Sequence, residues 1–138
     1  MSQFSDYYEN KIIEHMMRGQ SFTPPTVISA ALFGTGGGLE ANDATVQEIT
    51  GNAYVRQTIT LGTASAGISR NSASITFPEA TPAAWGTITH VAIADNGSLT
   101  NWGTGVNILM WGTLAAFKGI DANDTFQFNA GSLGITVA

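Results

Sequence analysis

Apolar residues recur with two different spacings along this chain, and the change between them falls near residue 20. Phe4, Tyr8, Ile12 and Met16 follow one another at four-residue intervals, with Tyr7, Ile13 and Met17 beside them, which is a wide helical stripe. Residues 5–18 therefore read as an α-helix: Ser5 is placed as N-cap, Asp6 and Glu9 sit in the first turn, and Arg18 and Gly19 close the end. A lone helix of this length is marginal in water, so the stripe must dock on the chain's own sheet or on a neighbour.

Beyond Gly19 the texture changes. Pro24-Pro25 stops any helix and forces an extended entry into residues 26–33 (TVISAALF). Residues 54–61 alternate, Val55, Gln57, Ile59 and Leu61 against Tyr54, Arg56, Thr58 and Thr60, and residues 72–77 alternate as well. A β-branched run over 87–95 ends at the turn Asp95-Asn96-Gly97, and 107–114 and 116–118 are further strand candidates. Residues 125–128 and 132–137 read as a hairpin joined across Asn129-Ala130-Gly131. Seven or eight short strands after one helix predict a mainly β fold, a β-sandwich or jelly-roll-like body with an N-terminal α-helix. The expected organisation is a helical arm over 1–20 and a β-sandwich domain over 21–138.

Composition narrows the function. The 138 residues are 43% hydrophobic, enough for a core, and contain no cysteine, which removes disulfides, thiolate metal sites and a cysteine nucleophile together. Only 11% of residues are charged and the net charge is −5. Phosphate neutralisation needs clustered cations, whereas Lys11, Arg18, Arg56, Arg70 and Lys118 are scattered, so no nucleic-acid partner is expected. No membrane partner is expected either, because the longest apolar stretch, VNILMWGTLAAF, is interrupted by Asn107, Gly112 and Thr113. The polar, acidic opening lacks the basic start and apolar run of a secretory signal, so release by assembly and lysis is the expected route.

Candidate chemistry is thin. His15 falls on the helix near Glu14 and His90 lies within a strand, where a packing role is the simplest reading. Gly36-Gly37-Gly38 has neither the lysine nor the following helix of a phosphate loop, and reads as a mobile hairpin tip or a segment ordered by a neighbour. Asp121, Asn123 and Asp124 lack the further ligands of a calcium loop, and turn geometry accounts for them. No catalytic residue, cofactor or metal is therefore expected, and the chain is read as a non-enzyme. Trp85 and Trp111 fit core or sheet-edge packing, whereas Trp102, in a Gly/Asn/Thr loop, is the candidate for an exposed contact.

The order of segments resembles a family of small phage virion proteins. The carrying residues are FSDYYENKIIEHMMRGQSFTPPTVISAALF (4–33), YVRQTITL (54–61), NSASITFPEATPAAWGTITHVAIAD (71–95) and DTFQFNAGSLGITVA (124–138). Members are described as tail-fibre-like, head-fibre or capsid decoration (cement) proteins. The resemblance implies a virion component with a β-sandwich body and no cofactor. The first reading is a decoration protein that stabilises the shell by binding the major capsid protein and itself, a homotrimer being the expected form, with Phe4, Tyr8, Ile12 and Met16 at the contact. The alternative is a tail-fibre or receptor-binding module whose Trp102 meets a surface glycan.

Overall fold

The computed structural model describes residues 2–43, 46–97 and 102–137. Among them are one helix and nine strands: β1 (Ser2–Phe4), α1 (Asp6–Arg18), β2 (Ser29–Phe33), β3 (Gln57–Thr58), β4 (Ile68–Arg70), β5 (Ile75–Thr76), β6 (Gly86–Ala94), β7 (Ile108–Ile120), β8 (Gln127–Phe128) and β9 (Gly134–Thr136). All strand pairs are antiparallel. A five-stranded sheet runs β1-β7-β6-β2-β3, and two small sheets pair β4 with β9 and β5 with β8. The fold is mainly β with an N-terminal helix, as the two spacings predict.

β2 explains why the large sheet is covered on both faces. Its five residues, SAALF, are all buried, Ser29 among them, so the strand has no face to give to water. Ala30 and Leu32 point into one core, with Ile88, Val91 and Ile93 of β6 and with Phe77, Phe126, Phe128 and Leu133 from the small-sheet side. Ala31 and Phe33 point into a second core, with Leu39, Val46, Ala92, Trp102, Val106 and Ile108, which is roofed by loops.

β6 and β7 start at Ala94↔Ile108, shift by one residue at Leu109, keep register from Ile93↔Met110 to His90↔Thr113, then slip again. Ile88 faces Lys118, so β7 spends residues 114–117 opposite the single Thr89. The same bulge puts Ile88 and Val91, three apart, on one face, where strict alternation would separate them. The segments 107–114 and 116–118, expected as two candidates, are thus one thirteen-residue strand.

Three further expectations change. The hairpin across Asn129-Ala130-Gly131 does not form: β8 and β9 pair with β5 and β4 instead of with each other. The fold of that corner is set by Asn71, 2% exposed, whose Nδ2 donates to the carbonyls of Ala73 (2.8 Å) and Asn129 (2.9 Å) while its Oδ1 accepts from Leu133 N–H (2.9 Å). Within 54–61 only Gln57–Thr58 is strand, because the backbone turns there to bury Tyr54 and Arg56 and leaves Val55 48% exposed. Residues 2–4, placed in the helical arm by sequence, form β1, hydrogen-bonded along β7 from Ser2↔Gly112 to Phe4↔Met110.

Candidate interaction surfaces

The helix is fixed at its N-terminus. Ser5 is fully buried; its N–H donates to Leu109 O (3.1 Å), its hydroxyl donates to Ile108 O, and the same Oγ accepts from Tyr8 N–H (3.3 Å) as an N-cap. Asp6 N–H donates to Glu40 O at 2.7 Å. At the other end Gly19 takes the left-handed conformation (φ 65°) and Gln20 N–H returns to Glu14 O (3.0 Å). The inner side is aromatic: Phe4 meets Tyr8 edge-on at 5.5 Å, Tyr8 meets Phe22 at 6.1 Å, and Phe22 meets His15 at 6.5 Å. Tyr7 packs on the main core, and burial, then the charge of Asp95, raises its phenol pKa above the ordinary value.

The four helical-stripe candidates therefore divide. Phe4, Tyr8 and Ile12 are half-buried toward the body, and Met16 is 70% exposed. It lies with Ile13 (54%) and Met17 (81%) on the outward face. No helix residue is fully buried, so α1 is held by its cap and inner aromatics and keeps an apolar strip in water.

A second apolar surface lies beside β7. A cleft of about 710 Å³ runs between the outer half of β7 and residues 125–136, floored by Ile93 and Met110 and flanked by Leu114 and Ile135, with Arg70 and Lys118 on its lining. Next to it the bulge of β7 leaves Phe117 62% exposed.

Trp102 corrects the expectation of an exposed contact: it is only 3% exposed. Its ring packs on Phe33 at 5.8 Å, and the Arg56 guanidinium lies 4.3 Å from the ring centroid. Arg56 also donates to both oxygens of Glu48, Nε to Oε1 at 2.8 Å and Nη2 to Oε2 at 2.7 Å. Tyr54 donates its hydroxyl to Glu48 (2.7 Å) and accepts from Leu32 N–H (2.9 Å); burial, then the Glu48 charge, pushes its phenol pKa up. This set is a buried lock between the large sheet and its roof. Sequence reasoning missed it because strict alternation put Arg56 with Thr58 and Thr60 on a polar face; the usable signal was Tyr54, an aromatic of the same parity.

The other candidates are structural. His90 accepts or donates at Nδ1 with Thr89 Oγ1 (2.7 Å) and lies 6.1 Å from the Trp111 ring. A Cβ on Gly36 would come within 2.6 Å of His90 Nε2, so the triglycine segment is closely packed against the sheet and carries fully buried Leu39 into the second core, unlike a mobile tip. His15 Nδ1 contacts Gln20 O at 2.9 Å. Asp124 Oδ2 accepts from Asp121 N–H (3.0 Å), a side-chain turn. Among the described residues no group of three His, Cys, Asp or Glu is gathered for a metal, and no helix is long and apolar enough to cross a membrane.

The described residues thus form a mainly β body with a capped surface helix, two partly apolar outer surfaces and a buried Arg56–Glu48 lock. The family comparison gives the assignment: residues 3–136 match the podophage GP4 fiber I protein gp80 family, and the chain belongs to that family. It is a phage virion structural protein. A search of curated proteins found no match.

Proposed function

We propose that this chain is a non-enzymatic fibre subunit of a phage particle, built to pack against copies of itself. The observation that carries this reading is the family match over nearly the whole chain, to proteins described as podophage fiber I. The exposed strip Ile13, Met16 and Met17 and the cleft beside β7 support it, since contiguous apolar surface on a small protein marks a contact. Fibre assembly is favoured over the shell decoration that the sequence suggested, and burial of Trp102 removes the side chain through which a glycan contact was expected. Immunogold labelling of purified virions tests it: gold on projecting fibres is expected, and uniform labelling of the shell returns the assignment to decoration.

A further inference from the structure

We propose that the outward face of α1 in one copy seats in the cleft beside β7 of a second copy, a head-to-tail contact. The partner is argued from charge. At 100° per residue, Asp6, Glu9, Ile13, Met16 and Met17 fall within an arc of about 100°. All five are exposed. The bases of the helix are elsewhere: Lys11 lies over the Tyr7 ring (5.5 Å) and Arg18 is paired with Glu14 (2.7 Å). The outward face is thus apolar and acidic.

The cleft is its complement. Of the five Lys and Arg residues, two are on the helix and Arg56 is buried against Glu48; the remaining two, Arg70 and Lys118, both line the cleft. None of the ten acidic residues lines it. In a chain of net charge −5 that is a local reversal of sign over an apolar floor. Neither cation has a carboxylate partner among the described residues, and Arg70 donates only to Gly131 O (3.2 Å). The helix of the same copy cannot fill its own cleft with this face, because its opposite side is fastened through Ser5, Tyr7 and Tyr8. Each copy therefore offers one helix and one cleft, and such heterologous contacts close into a ring or continue as a filament.

The inference rests on the self-packing reading above and names its contact. The test is sedimentation of the full chain with charge reversals. Glu9→Lys and Lys118→Glu are each expected to weaken association about tenfold, and the two together to recover it. Circular dichroism of each variant verifies folding. The absence of cysteine allows a second readout: Met17→Cys and Ala116→Cys chains, mixed and treated with a short bismaleimide, should form a heterodimer. A monomeric wild type, single reversals without effect, or Met17→Cys linking to itself in preference to Ala116→Cys overturns the contact. Fibre labelling would survive that result, whereas heterodimers without labelled fibres would retain the contact and remove the fibre assignment.

Discussion

Arg56 carries a charge on a side chain that has lost all exposure to water, and Glu48 beside it keeps only 5%. The bidentate pairing, the Arg56 Nη1 bond to Asn96 O (3.2 Å) and Tyr54 and Trp102 around them hold these two charges, and removing one partner strands the other. Glu48→Gln is expected to cost roughly 3–5 kcal/mol in urea unfolding, with Arg56→Met costing as much, and the double variant costing less than the sum. Trp102→Ala should destabilise by about 3–5 kcal/mol, a packing loss measurable by the same titration. His90 gives a pH dependence. Burial lowers its folded pKa below the free imidazole value of about 6.5, so in acid the unfolded chain binds more protons than the folded one. Its contribution is complete above pH ~6.5 and is lost as pH falls toward the lower folded value, with a slope of at most about 1.4 kcal/mol per pH unit. Thermal melts of wild type and His90→Gln across pH 5–7.5 should show a shallower acid decline in the variant, on the order of one proton's slope.

At the scale of elements, what was legible in the sequence was what is local. The helix ends where Ser5 and Gly19 put them, because capping is decided within one turn. The long strand of β6 is legible from its β-branched run. The pairing of β8 with β5 and β9 with β4 is not, since the Asn129-Ala130-Gly131 turn suits a hairpin as well as a corner, and the choice is made by Asn71, far away in sequence. The bulge at residues 114–117 is equally silent, because it exists only relative to Thr89 on the neighbouring strand. Of the interaction surfaces, the helical stripe was readable but its division into inner and outer halves needed β1 and Phe22 in place. Ser5→Ala removes both the cap and the donor to Ile108 O, and should cost roughly 2 kcal/mol by thermal or urea unfolding. Met16→Ser with Met17→Ser should leave unfolding free energy within about 0.5 kcal/mol of wild type while abolishing association, since neither side chain packs on its own body.

For the whole molecule, one arrangement recurs: polar groups are consumed inside, and apolar groups are offered outside. Asn42, Asp95 and Asn107 bond to one another or to the strand backbone, as Glu48, Arg56 and Asn71 do elsewhere among the described residues. The helix strip and the cleft are the surfaces proposed above for assembly. The direct test of that division of labour is quantitative mass spectrometry of purified virions, counting this chain against the major shell protein. The chain should be present reproducibly, in far fewer copies than the shell protein and in a number divisible by a small symmetric oligomer. Its absence from purified particles would contradict the reading.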